Sequence, residues 1–127
     1  MKTQNLSVVI PAYNEAKCIS KTISSLRATL TASTIKYEII IVNDGSTDES
    51  EDIIKELTDV VLIKHKSNRG YGASIKTALS RAKYENVCIT DADGTYPLDR
   101  IPSLLAKMSD HDMVVGARIG SDVEYSW

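Results

Sequence analysis

The chain alternates short, β-branched apolar runs with segments of helical spacing, and this alternation restricts its fold more than any other feature. The runs are LSVVI (6–10), YEIIIV (37–42), VVLIKH (60–65), NVCIT (86–90) and DMVVGA (112–117). Between the first two, Ile19, Ile23, Leu26 and Leu30 recur every three or four residues, as on one face of a long helix. After the second, Ser46 stands three residues before Glu49, a capping-box pattern ahead of a short helix burying Ile53, Ile54 and Leu57. Ile75, Leu79 and Ala82 predict a third helical face. Ile101, Leu104, Leu105 and Met108 predict a fourth, with Pro102 in its first turn and Asp99 as its N-cap. ATLTASTIK (28–36) reads as the loosest loop. The order is therefore β-α-β-α-β-α-β-α-β. Continuous apolar strands alternating with amphipathic helices form a mainly parallel sheet with helices on both faces, joined by right-handed crossovers.

The 127 residues suit one domain, and 43% hydrophobic with 25% charged residues is the balance expected of a folded, soluble protein rather than a disordered one. With 15 basic and 17 acidic side chains the net charge is −2, which gives no global attraction to nucleic acid and leaves room only for a local basic patch. No apolar run approaches the length of a membrane span. The N-terminus reaches Pro11 and polar residues too soon for a secretory h-region, so a cytoplasmic location is expected. Cys18 and Cys88 are too few and too far apart for a disulfide framework or a zinc site, and are read as reduced thiols. His65 ends a strand and His111 lies in a turn.

The unusual residues fall at the ends of the strands: PAYNE (11–15), NDGSTD (43–48), KSNRGYG (66–72) and DADGTYP (91–97). Loops following the helices are plainer. In an open parallel sheet the loops after the strands share one edge, where such folds bind ligands. Asp91 and Asp93 are spaced i, i+2 at the fourth strand end. Two hard oxygen ligands there suit Mg²⁺ or Mn²⁺ bridging a diphosphate, whereas the plainer reading has them capping the following turn. Asp44 is either part of turn chemistry or an acceptor for a nucleobase or ribose. Arg69 meets phosphate or base, or is solvated; Tyr13 lies against a base, or covers the first helix. Gly70 and Gly72 lack the third glycine of a dinucleotide fingerprint and are better suited to letting backbone pass close to a ligand or to starting the helix tightly.

VVIPAYNE, IIIVNDGSTD, NRGYGASIKTAL, ITDADGTYP and MVVGAR occur in the order and spacing of family-two glycosyltransferases. Over residues 6–118 the chain resembles the branch that makes dolichyl- or polyprenyl-phosphate sugars. The resemblance implies a Rossmann-like GT-A fold spanning residues 1–127, a UDP- or GDP-sugar donor, and Mg²⁺ or Mn²⁺ held by a D-x-D motif at Asp91 and Asp93, the catalytic pair. It implies that Pro11, Ala12, Tyr13 and Glu15 line the nucleotide pocket and that Asp44, beside Asn43, contacts base or ribose. Asn68 and Arg69 border the nucleotide, and Ala92 lies within the motif that holds the diphosphate. It further implies transfer with inversion to a lipid phosphate, at the inner face of a membrane in a longer protein. The family continues beyond the equivalent of Trp127 to supply the acceptor side, so the 127 residues alone are expected to bind donor more readily than to turn over.

Two other functions fit parts of the pattern. VCITDADGT also resembles the opening of haloacid-dehalogenase-like phosphatases, with Asp91 as nucleophile and Asp93 as acid/base, although the downstream lysine and acidic pair are not matched. A non-catalytic nucleotide-binding module is the third reading.

Overall fold

The structure is a computed structural model, which describes residues 4–95 and 97–115. Four parallel strands, β1 (Asn5–Ala12), β2 (Lys36–Asp44), β3 (Val61–His65) and β4 (Val87–Ile89), lie in the order β3-β2-β1-β4. Between them run α1 (Ile19–Ala32), α2 (Ser50–Glu56) and α3 (Tyr71–Leu79). A 3₁₀ turn (Leu98–Arg100) leads into α4 (Ile101–Lys107).

Strand alternation divides the core in two. Leu6, Val8, Ile10 and Ala12 of β1, with Ile39 and Ile41 of β2, face α1 and the buried residues of α2 and α4. Val9, Ile40 and Val42 face the other way, onto Ala78 of α3. The helical face read from Ile19, Ile23, Leu26 and Leu30 is fully buried, each side chain contributing about 1.5–3 kcal/mol of apolar burial. The sheet and its two helical layers match the expected α/β arrangement.

Several local expectations are corrected. Residues 112–115 form no strand: Met113 and Val115 are exposed and no neighbouring strand pairs with them. The remainder of that run, and the GAR end of the fifth motif, lie outside the described residues. Helix α1 extends through most of the supposed loop 28–36, because Leu30 completes its apolar face. Leu79 points outward; the buried face of α3 is carried by Ser74 and Ala78, with Ile75 and Ala82 packed beside it. The capping box does not form, since Ser46 Oγ accepts from the Asn14 amide and Asp48 Oδ1 takes the Ser50 amide at the start of α2. Asp99 lies inside the 3₁₀ turn, which Pro97 closes by accepting from the Arg100 amide, and Arg100 becomes the N-cap of α4. Pro102 does sit in the first turn of α4.

Both cysteines are free thiols, and burial pushes Cys88 up to about 11, which keeps it protonated and unreactive. Among the described residues no helix is long and apolar enough to cross a membrane.

Candidate functional site

Chain order runs outward from β1 through β2 to β3, then returns to the other side of β1 for β4. The connections therefore part above the carboxyl ends of β1 and β4, where an open α/β sheet offers a crevice. A cavity of about 340 Å³ lies there, within the range of small-ligand sites. It is walled by Pro11, Ala12, Tyr13 and Glu15 after β1, by Asp44 after β2, by Asn68, Gly70, Tyr71 and Ser74 after β3, and by Asp91, Ala92 and Asp93 after β4. All four polar strand ends of the sequence thus meet at one place.

Hydrogen bonds lace the first two loops together. Asn14, in the left-handed region at φ 54°, accepts the Thr47 amide at 2.8 Å and the Asp48 amide at 3.3 Å on Oδ1. The Glu15 amide donates to Ser50 Oγ at 2.9 Å, and the Ala16 amide to Asp48 Oδ2 at 3.3 Å. Asn43 is buried, does not line the cavity, and uses Oδ1 to accept the Ser46 amide at 3.2 Å. Its side chain holds the turn that presents Asp44.

Asp44 is 4% exposed and heavily engaged. Oδ1 faces His65 Nδ1 at 2.8 Å and accepts the Arg69 amide at 2.9 Å; Oδ2 accepts the Gly70 amide at 2.9 Å. Arg69 therefore reaches the site through its backbone, and it is not among the residues lining the cavity. Burial alone would raise the Asp44 carboxyl, but the His65 hydrogen bond and the two amides outweigh it and lower it below the ordinary 3.8. A depressed carboxyl contributes stability that is complete above the unfolded value and is lost as pH falls through the folded one. Asp44→Asn should therefore lower stability at about pH 5, and the gap to the native chain should narrow towards about pH 2.5. Urea melts at both values check this; a gap that widens in acid would contradict it.

The aspartate pair sits in the turn after β4. Asp93 Oδ1 accepts from the Thr95 amide at 3.0 Å and from its hydroxyl at 2.7 Å, so the turn-capping role foreseen for this motif is real for Asp93. It does not remove either aspartate from the cavity wall. Buried Ala92 anchors the turn: its carbonyl accepts from Thr22 Oγ1 of α1 at 3.0 Å. Glu15 is raised from its ordinary 4.5, first by burial and then by the negative charges of Asp93, Asp91 and Asp48. The carboxylates are thus close enough to repel one another. Among the described residues no group of three or more His, Cys, Asp or Glu side chains is arranged as a self-sufficient metal cage. A cation here would need ligand oxygens or water to complete its shell, which is how Mg²⁺ is usually held.

Tyr71, Ser74, Thr22 and His65 were not singled out as site residues from sequence. Gly70, Tyr71 and Ser74 lie in the NRGYGAS motif within about one helical turn, a spacing that places them together once α3 starts at Tyr71. Ser74 Oγ is buried with no hydrogen-bond partner among the described residues. Thr22 and His65 carry no local signal.

Residues 7–126 match the description Glycosyl transferase family 2. The chain is 33% identical over 128 residues to a dolichyl-phosphate beta-glucosyltransferase of Trichomonas vaginalis, covering 89% of this chain and 40% of that protein. It is also 33% identical over 129 residues to the undecaprenyl-phosphate 4-deoxy-4-formamido-L-arabinose transferase of Edwardsiella ictaluri, covering 98% and 39%. The chain thus spans less than half the length of these relatives. The fold resembles the mannosyltransferase PcManGT from Pyrobaculum calidifontis in complex with GDP-Man and Mn2+, with a TM-score of 0.75 and 26% identity over 86% of this chain and 33% of that one. It also resembles S. aureus TarS 1-349 in complex with UDP-GlcNAc, with a TM-score of 0.64 and 29% identity over 71% and 27%.

Proposed function

Because the chain belongs to glycosyl transferase family 2, we propose that its cavity binds the nucleoside diphosphate of a UDP- or GDP-sugar through Mg²⁺ or Mn²⁺ held at Asp91 and Asp93. The sugar passes, with inversion, to a polyprenyl or dolichyl phosphate at a membrane face. The observation that carries this reading is the one-sided charge of the cavity. Glu15, Asp44, Asp91 and Asp93 line it, and the described lining contains no Lys, Arg or His. A diphosphate would be repelled by such a wall, at about 1 kcal/mol per pair of unit charges 4 Å apart even in water, and more where solvent is excluded. A divalent cation between the two sets of oxygens reverses that sign.

The two aspartates fit the cation: both are hard oxygen donors on one turn, held in place by Thr22. When bound, the cation would supply charge neutralisation for the departing diphosphate. The remaining work falls to the chain. Pro11, Ala12 and Tyr13 offer an apolar and aromatic wall for a base. Asp44 has about four lone-pair positions and three are occupied, which leaves one to accept from a base N–H or a ribose hydroxyl. Asn68 and Tyr71, from the segment after β3, complete the lining. A lipid phosphate is already an anionic nucleophile, so its attack on the anomeric carbon needs no general base from these residues, and a single displacement inverts that carbon.

The relatives that transfer sugars to dolichyl and undecaprenyl phosphates support the acceptor class, and the structural neighbours bound to GDP-Man with Mn2+ and to UDP-GlcNAc support the donor and cation. Family membership sets the phosphatase reading aside. Thermal melting with UDP and GDP, each with and without Mn²⁺, tests the donor site. Nucleotide and metal together should raise the midpoint well above nucleotide alone, since a ligand at 100 times its Kd stabilises the folded state by about 2.7 kcal/mol. If metal adds nothing for either nucleotide, the reading fails. Labelled-sugar transfer to a polyprenyl phosphate by a chain extended past Trp127 separates an enzyme from a binding module.

A further inference from the structure

We propose that His65 is a positioning residue for the nucleotide pocket: it fixes the Asp44 carboxylate, and through it the loop of residues 66–70, in the shape that receives the nucleoside. This rests on the donor-site reading above and adds to it a residue that never touches the ligand.

His65 and Asp44 are register partners at the ends of adjacent parallel strands, so their side chains leave the sheet side by side. Both are buried, at 6% and 4% exposure. An ionised carboxylate only accepts hydrogen bonds, so the ring proton at the 2.8 Å contact belongs to Nδ1. On the far side Nε2 lies 2.9 Å from Thr77 Oγ1, which also lies 3.0 Å from the Ala73 carbonyl of α3; the single hydroxyl proton is shared between these two acceptors. One continuous line therefore runs from α3 through Thr77 and His65 to Asp44, and on to the amides of Arg69 and Gly70. The segments it joins carry much of the cavity wall: Asn68, Gly70, Tyr71 and Ser74. Gly70 has φ 97°, outside the range most residues tolerate, and its amide is held by Asp44. Losing the His65 donor leaves Asp44 with only the loop to hold it, when it should be holding the loop. The carboxylate and the wall then lose their fixed relation to each other.

Two conservative variants separate this role from simple packing. His65→Asn keeps an N–H donor near the Nδ1 position and gives up the Thr77 contact. His65→Gln places its amide near Nε2 and gives up the donor to Asp44. Calorimetric titration of UDP and GDP in the presence of Mn²⁺ should find His65→Asn within about threefold of the native affinity, and His65→Gln and His65→Leu weaker by about tenfold or more, the scale of a lost hydrogen bond to a charged group. In the ligand-free protein, hydrogen exchange at the Arg69 and Gly70 amides should quicken in His65→Gln and His65→Leu while amides in β1 and β2 keep their protection. Native affinity in His65→Leu overturns the proposal. So does an equal loss in His65→Asn and His65→Gln that follows a fall in melting temperature. If His65→Leu does not fold, the Asn and Gln pair still decides. If the native chain binds neither nucleotide, the donor reading fails, while exchange at Arg69 and Gly70 still reports whether His65 holds the loop.

Discussion

Asp91→Asn or Asp93→Asn is expected to abolish the manganese-dependent part of nucleoside-diphosphate binding and to leave the metal-independent part unchanged or slightly stronger. The two signs differ because the aspartates act in opposite ways on the two ligands. Towards the cation each is a charged oxygen donor, and an amide oxygen is a much poorer one. Towards a bare diphosphate each is a repelling charge in a wall that already holds Glu15 and Asp44. With metal present the loss should reach about a hundredfold, about 2.8 kcal/mol at 1.4 kcal/mol per factor of ten. Asparagine is the informative replacement at position 93, because its carbonyl still accepts the Thr95 amide and hydroxyl on the oxygen that now takes them. The turn survives, and the melting temperature without ligand should barely move. Titration calorimetry of UDP and GDP with and without Mn²⁺ reads both parts. If the metal-dependent increment persists in both variants, the cation does not sit at this pair. The same asymmetry predicts that occupation of the site relieves Glu15, whose carboxyl is raised in part by the charges of Asp93 and Asp91.

Gly45→Ala should be the most damaging small substitution near the site, at about 2–4 kcal/mol of lost stability. Gly45 has φ 74°, which costs an L-residue about 1–2 kcal/mol. A Cβ there would also lie 2.5 Å from the Asn68 nitrogen and the Ser67 carbonyl carbon, and 2.8 Å from the Ser67 Cα. These are backbone atoms that cannot swing aside, so the loop after β3 must move. That loop carries Asn68 in the cavity wall and the two amides that Asp44 accepts, so nucleotide binding should weaken together with stability. Gly72→Ala is the control. It lies inside α3, a Cβ there meets nothing within 4 Å, and alanine is the better helix former by about 1 kcal/mol. Urea unfolding of the two variants should shift in opposite directions. A Gly45→Ala midpoint equal to the native one would mean that the two loops are not packed as described.

Particular residues show how far the sequence could be read. Ile19, Ile23, Leu26 and Leu30 were legible because a helix face repeats locally, and all four are buried. The cavity was legible as a place, because a parallel sheet must gather the loops after its strands at one edge, and nine of its lining residues had been named: Pro11, Ala12, Tyr13, Glu15, Asp44, Asn68, Asp91, Ala92 and Asp93. The capping box failed because Ser46 found a better use in the Asn14 amide of another loop. Leu79 failed because three apolar residues define a helical face poorly, and the face turned to Val9, Ile40 and Val42 of the sheet is carried by the small Ser74 and Ala78. Arg69 and Asn43 were named for their side chains, yet the structure uses the Arg69 backbone amide and spends the Asn43 side chain on a turn.

The sequence by itself determined the alternation of strands and helices, the edge on which the polar loops collect, and the carboxylates that give that edge its charge. These depend on periods of two and 3.6 residues and on chain direction, which are properties of neighbours along the chain. Tertiary structure alone decided that β4 lies beside β1, that Thr22 holds the aspartate turn, and that His65 meets Asp44. Those contacts join residues 21 to 80 positions apart, and a shift of one residue in strand register would send His65 to the opposite face of the sheet.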